Sequence, residues 1–318
     1  MSFSQEVKEE LIEVRLRHEE DGAKLVAGAA AAAASLKYSR ALRTWGLHLV
    51  SENEKCINFV AKLAGRSYGL SNEISLNVHE RLKARNTELF LYGDGLEKLC
   101  FDAGLMSTDE NGERSYLFRF PSGLESDHAL RAFLRGVFLM CGTVSNPEKS
   151  CHAELVLKNE SFARGLIGIM TERSIVPKLA SRRSLFIVYI KNGDTVEDFL
   201  TFMGAGESML RLSEQRMIRE AANNSNREIN CFAANLDKAA RASAYQVEDI
   251  KLILSTLGAD ALSEELYEIA RARMENPELT LAQISELTGI GRSAVNYRLK
   301  KIKRLADEIR AAGDGTEN

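Results

Sequence analysis

Between Arg292 and Arg304 the chain carries Arg292, Arg298, Lys300, Lys301, Lys303 and Arg304 with no acidic residue, interspersed with Ser293, Asn296 and Tyr297. Cationic side chains neutralise phosphates, while arginine, asparagine and serine can pair with base edges, so the chemistry on offer is recognition of duplex DNA. Val295, Leu299 and Ile302 recur at helical spacing in the same run, which leaves one face for a core and the other for a major groove. Arg292, Ser293, Asn296, Tyr297 and Arg298 are expected at base edges or flanking phosphates, and Lys300, Lys301, Lys303 and Arg304 along the backbone. The competing reading is a pair of ordinary surface helices with a solvated basic face.

Such a run needs a partner helix to hold it, and the residues just before it supply one. Thr280 followed by Gln283 is a capping-box start, Leu281, Ile284 and Leu287 share a face, and Gly289 stops the helix. Ser285, Gly289 and Val295 have the spacing of a helix-turn-helix: a small residue at the crossing, a glycine for the left-handed turn, and a β-branched plug. A preceding helix is predicted from Ser263 to Met274, closed by Asn276-Pro277, and another from Val247 to Leu257. The expected core of this region is Leu252, Ile253, Leu257, Leu266, Ile269, Ile284, Leu287, Val295 and Leu299.

At 318 residues there is room for two domains, each able to bury a core. With 45% hydrophobic and 27% charged residues the composition is that of a globular protein, and a net charge of -3 confines any DNA binding to a local patch. The five cysteines (Cys56, Cys100, Cys141, Cys151 and Cys231) form no CxxC pair and are expected to be reduced, neither a disulfide frame nor a zinc site. The histidines are scattered, and no metal or cofactor is expected. MSFSQEVKEEL reads as a capped, charged helix, so no secretory signal is expected there, and Val26–Leu36 is too short to span a bilayer.

The first two hundred residues repeat a unit. KLVAGAAAAAASLKY (24–38) and AFLRGVFLMCGTVSN (132–146) each read as a helix with a central glycine, Gly28 or Gly136. GLHLVSENEKCINFVAKLAGR (46–66) and HAELVLKNESFARGLIGIMTER (152–173) each read as a strand leading into a helix, with Asn53 aligned to Asn159. Strands are predicted around Ile74–Val78 and Glu88–Tyr92 in the first copy and over 184–193 in the second, the latter ending in an Asn-Gly turn. Each copy closes on an apolar helix, 95–105 or 195–205, the latter capped by Thr195 with Asp198. Asp109–Glu113 is a polar turn and Pro121-Ser122-Gly123 the join. The expected arrangement is two halves, each helix–strand–helix–strand(s)–helix, across a pseudo-twofold axis where the glycine-bearing helices pack closely.

This duplicated unit resembles the LAGLIDADG homing-endonuclease fold, in which two such helices form the interface and each ends in a metal-binding acid. Laying Gly136 and Gly28 on the motif puts Cys141 and Ala33 where those acids belong. Neither can ligate Mg²⁺, whose ligands are oxygens, so the resemblance implies the fold without the hydrolytic site.

Residues 211–246 are rich in Asn and Arg, with Leu212, Met217, Ile218 and Ile229 as an interrupted apolar stripe. Five asparagines, Asn223, Asn224, Asn226, Asn230 and Asn235, are costly for a helix that only spaces domains. Two readings stand: additional phosphate contacts, with Arg216, Arg219 and Arg227 as donors, or an interdomain hydrogen-bond network.

Over nearly its full length the chain resembles the bacterial WhiA family, most specifically in SFSQEVKEEL, FLRGVFLMCGTVSNP, the stretch 217–235 and SAVNYRLKKI. It departs at Tyr297, where relatives often carry His, and at Ala221-Ala222. The resemblance implies an α+β fold: a duplicated, degenerate LAGLIDADG-like α/β domain with pseudo-twofold symmetry, followed by an all-α helix-turn-helix domain. The expected bounds are 1–206 (repeats about 1–121 and 122–206), a linker helix region 207–245, a DNA-binding domain 246–312 and a disordered tail 313–318. The implied function is non-enzymatic, DNA-binding regulation of sporulation, cell division and chromosome segregation in the cytoplasm, at the nucleoid and away from membranes. The implied partners are double-stranded DNA and another regulatory protein, a WhiB-like protein in actinobacterial relatives. The alternatives are a metal-dependent DNA endonuclease, against which the missing acids speak, and a partner-docking regulator with secondary DNA contact.

Overall fold

The computed structural model describes residues 2–79, 84–108 and 113–314. Residues 109–112 of the turn expected at 109–113, and residues 315–318 of the tail expected at 313–318, lie outside the described residues. The chain divides into two compact units, Met1–Glu220 and Ala221–Asn318.

The first unit opens with α1 (Phe3–Glu13), held by the reciprocal Ser2–Gln5 capping box that the sequence predicts. Then come α2 (Asp21–Ala33), β1 (Ser35–Ser39), β2 (Thr44–Ser51), α3 (Glu54–Tyr68), β3 (Ser71–His79), β4 (Ala84–Tyr92) and α4 (Leu96–Asp102). A short hairpin, β5 (Ser107–Thr108) with β6 (Arg114–Ser115), precedes the second copy. That copy is α5 (Asp127–Cys141), β7 (Gly142–Val144), β8 (Ala153–Leu157), α6 (Glu160–Thr171), β9 (Lys178–Arg182), β10 (Leu185–Ile190) and α7 (Gly193–Met203).

The duplication is explicit in the sheets. Strand order is β1-β2-β4-β3 in one and β7-β8-β10-β9 in the other, all antiparallel. Leu47 opposite Leu91 and Leu49 opposite Leu89 bury one face of the first sheet. Leu155 opposite Val188 and Ala153 opposite Ile190 do the same in the second. Asn53 and Asn159 each cap the next helix, accepting from the backbone N–H of Cys56 at 3.2 Å and Phe162 at 3.0 Å. A carboxamide in that place satisfies an orphan amide of the first turn.

Each copy is helix–strand–strand–helix–strand–strand–helix, with more strands than the sequence reading assigned. β1 follows α2 directly and β7 follows α5 directly, so the predicted opening helices end several residues early, at Ala33 and Cys141. Likewise β9 pairs with β10 although its sequence, KLASR, has little apolar alternation. The expected cap at Thr195 is also corrected: Asn192 caps α7, its side chain accepting from Thr195 N at 3.2 Å.

α2 and α5 pack closely through glycine. A Cβ on Gly28 would lie 2.1 Å from the carbonyl oxygen of Phe133, and one on Gly136 1.9 Å from that of Leu25. Buried Arg135 donates to the carbonyls of Leu11 at 2.5 Å and Val14 at 2.9 Å, tying the end of α1 to this pair. Burial lowers its guanidinium pKa to about 10.

α8 runs unbroken from Gly206 to Leu257, so the helix predicted at Val247–Leu257 is its final stretch. Glu10 of α1 seats its first turn, accepting from Glu207 N at 2.8 Å and Ser208 N at 2.9 Å. The second unit continues with a 3-10 turn (Ala259–Ala261), α9 (Glu264–Glu275), α10 (Leu281–Thr288) and α11 (Arg292–Asp314). Its core is Ile250, Ile253, Leu262, Ile269, Ala270, Ala272, Ile284, Val295, Leu299, Ile302 and Ala306. Leu257 and Leu287, expected in that core, are more than half exposed.

Candidate nucleic-acid interface

The α10–α11 pair is set by local chemistry. Thr280 and Gln283 form the expected capping box, and Gly289 closes α10 in the left-handed region at φ 67°. Ser285 is more than a small residue at the crossing: its hydroxyl donates to the Ile290 carbonyl at 2.5 Å and braces the turn. Val295 is fully buried below that turn. Behind the pair, buried Arg273 of α9 donates to the Leu279 carbonyl at 2.5 Å and to Ser243 Oγ at 3.3 Å, and Ser243 also donates to the Pro277 carbonyl. Arg310 pairs with Asp249 at 2.5 Å and fixes the far end of α11 on α8.

With Val295, Leu299, Ile302 and Ala306 buried, the opposite side of α11 presents Ser293, Tyr297, Lys300, Lys301 and Arg304 to solvent, with Arg292 and Asn296 along its edge. Tyr297 is 60% exposed, and Lys301 Nζ lies 5.0 Å from its ring centroid, a cation–π contact that orients both. Lys303 reaches Asp307 one turn on at 2.9 Å. That hydrogen bond, with Arg310 adding to it, holds the Asp307 carboxyl below its usual range.

Arg298 is not on this face. Its guanidinium lies 3.6 Å from Glu265 and 3.5 Å from Glu268 on α9, and only 19% of the side chain is exposed. Arg298 sits one flank round the helix, where two acids of α9 pair with it and compete with a base contact. In sequence the two acids were visible as part of a charged helix, but nothing local linked them to Arg298.

The three arginines read as further phosphate donors are also unlike one another. Arg216 is held by Asp194 at 2.5 Å, Glu197 at 3.2 Å and Glu220 at 3.5 Å, and the hydrogen bond to Asp194 leads in raising its pKa. Arg219 donates to the Pro147 carbonyl at 2.8 Å and Cys151 Sγ at 3.2 Å. A phosphate reaching either arginine would have to displace these partners. Arg227 is exposed and has no partner among the described residues. Residues 221–238 of α8, which carry the five asparagines, are exposed.

In the first unit, Ala33 and Cys141 occupy the last helical positions of α2 and α5. Cys141 donates to the Val137 carbonyl at 3.1 Å, and burial pushes its thiol up to about 12. Beside it a cavity of about 460 Å³ is lined chiefly by polar residues, among them Ser4, Lys8, Glu52, Asn53 and Thr143. Burial lowers the Lys8 pKa. Among the described residues no three His, Cys, Asp or Glu side chains converge to hold a metal ion.

The solvent face of the first sheet carries charges of both signs, Lys37 with Glu73 and Glu88. Glu88 accepts there from His48 at 3.0 Å and Asn77 at 3.0 Å, and these bonds hold its carboxyl below the usual range. On the second sheet Glu154 pairs with His152, which stacks on Tyr189. Among the described residues no helix is long and apolar enough to cross a membrane.

Two family models match parts of the chain. Residues 130–222 match the model of the WhiA LAGLIDADG-like domain, and residues 225–306 that of the WhiA C-terminal HTH domain. The chain is 32% identical over 320 residues to "Probable cell division protein WhiA" of Clostridium botulinum, covering 98% of this chain and 99% of that protein. It is 32% identical over 318 residues to the protein of that name in Clostridium acetobutylicum, covering 98% of this chain and 100% of that one. Full-length DUF199/WhiA from Thermotoga maritima shares the fold at TM-score 0.59 and 21% identity, covering 97% of this chain and 99% of that one.

Proposed function

The chain belongs to the WhiA family, and from that premise we propose that it is a DNA-binding regulator acting without catalysis, which reads duplex DNA with α11. One observation carries the reading: α11 turns Ser293, Tyr297, Lys300, Lys301 and Arg304 outward, edged by Arg292 and Asn296, while its apolar face fills a core. Arg292, Ser293, Asn296 and Tyr297, near the start of the helix, reach base edges. Lys300, Lys301 and Arg304, with Lys303 once released from Asp307, hold phosphates.

The LAGLIDADG-like unit serves as a scaffold. Alanine and a protonated thiol stand where a hydrolytic site needs carboxylates. The relatives' name extends the proposal to genes of cell division, and the family resemblance to sporulation and chromosome segregation, in the cytoplasm at the nucleoid. A genome-wide map of DNA bound by the wild-type chain tests this. Discrete peaks upstream of such genes, lost with Arg292→Ala/Asn296→Ala, are expected; a map unchanged by that double substitution would refute it.

A further inference from the structure

The Asn-rich part of α8 is unabsorbed by the DNA reading, and its small and apolar residues have a pattern of their own. Ala222, Ser225, Ile229, Phe232, Leu236 and Ala239 alternate in steps of three and four, the spacing of a two-stranded coiled-coil seam, with Ser225 its one polar member. Its large members are open to solvent: Ile229 is 64% exposed, Phe232 71% and Leu236 55%, while Ala239 at the end of the run is half-buried. A helix whose apolar stripe faces water over this length lacks the packing that normally supplies helical stability. The outward side is polar, with Lys238 exposed and Asp237 paired to Arg241 at 2.9 Å, so the stripe is a true face.

We propose that residues 222–239 of α8 form a self-association surface, occupied by the same face of a second copy of this chain. The seam is complementary to itself, because a period of 3.5 residues interlocks with another of the same period. The flanking positions decide against a charge-selected foreign helix. They are Ala221, Asn226, Glu228, Ala233, Asn235 and Ala240, small or amide-bearing apart from one acid. In a parallel pair Glu228 meets Ala233 of the other copy, so no like charges are opposed. Asparagine, donor and acceptor at once, is suited to facing small neutral neighbours across a two-fold axis. This gives Asn226 and Asn235 a place in the pair, while Asn223, Asn224 and Asn230 fall on the outward side. The seam is short, and covering it on both copies buries on the order of 1,000 Å², the lower bound for specific association, so the dimer is weak and concentration-dependent.

Sedimentation velocity of the full-length chain at rising micromolar concentration, without DNA, tests the proposal independently of the DNA reading. The wild type is expected to pass from monomer to dimer. Phe232→Glu and Ile229→Lys, at positions exposed in the single chain, should each keep the fold by circular dichroism and raise the dissociation constant at least tenfold. Lys238→Glu, on the outward side, should leave it unchanged. A wild-type chain that stays monomeric throughout, or a dimer that survives both seam substitutions, or one equally sensitive to Lys238→Glu, overturns it.

Discussion

Gly28 and Gly136 are in reciprocal contact with each other's helices: each faces the carbonyl of the residue three positions before the other, Gly28 at Phe133 and Gly136 at Leu25. That reciprocity is the pseudo-twofold axis expressed in two residues. It also shows why small side chains are required here, since the obstructing atoms are backbone and cannot rotate away.

Gly136→Ala is therefore expected to destabilise the first unit by about 1–3 kcal/mol or more, by overpacking a contact that has no slack. Thermal unfolding should show a clear drop in Tm. A variant as stable as the wild type would mean the helices are not so closely apposed.

Arg298→Ala should change DNA affinity by less than about 1 kcal/mol, because Glu265 and Glu268 already neutralise the guanidinium. Asn296→Ala, which exposes no acid, should cost about 1–3 kcal/mol if it pairs with a base edge. Fluorescence anisotropy on one duplex compares them. A loss with Arg298→Ala equal to that with Asn296→Ala would restore Arg298 to the base-reading set.

The thiols set an alkaline limit. Burial pushes Cys56 and Cys100 up to about 11 and Cys141 to about 12, against 9.0 for a free thiol. Above about pH 9 the unfolded chain loses these protons while the folded one retains them. Stability is then full below pH 9 and declines as pH rises towards 12. Urea midpoints at increasing pH should fall, and Cys141→Ala should flatten the slope. Exposed Cys231 should alkylate first in the native protein by mass spectrometry.

Asp21 sets the acid side. Burial acts to raise its carboxyl, but the backbone N–H groups of His18 and Arg17, with His128, outweigh it and leave the pKa lowered. Its contribution is present above about pH 3.8 and is lost as pH falls through the lower folded value. Asp21→Asn should shift the acid unfolding midpoint; an unchanged midpoint would show that its hydrogen bonds do not favour the charged form.

Purified protein with supercoiled plasmid and Mg²⁺ or Mn²⁺ is expected to leave the plasmid intact, given Ala33 and Cys141 at the helix ends. Nicking that survives repurification and disappears with substitutions near Cys141 would contradict the scaffold role.

Local signals carried much of this architecture. Ser2–Gln5 and Thr280–Gln283 are reciprocal caps readable from four residues, and Asn53 and Asn159 mark equivalent helix starts. Gly28 and Gly136 were legible because only a close helix crossing gives a repeated central glycine a purpose. What escaped is stabilised from elsewhere. β7 has three residues and β9 lacks apolar alternation, so pairing with β8 and β10, more than propensity, makes them strands. α8 carries through five asparagines that argue locally for a break. The basic run Arg292 to Arg304, read from the sequence as one helix, falls within α11. The partners of Arg298, Arg216 and Arg219 lie as far as 72 residues away and leave no trace in the local pattern.

The most direct measurement is a salt-dependent titration of the full-length chain on a duplex selected by that chain, comparing wild type with Arg292→Ala/Asn296→Ala and with Lys301→Ala. The double variant should lose specific affinity while retaining weak non-specific binding. Lys301→Ala should weaken all duplexes alike and lower the salt slope by about one counterion. Specific binding of normal strength and slope in both variants would contradict the central claim and move the DNA reader off α11.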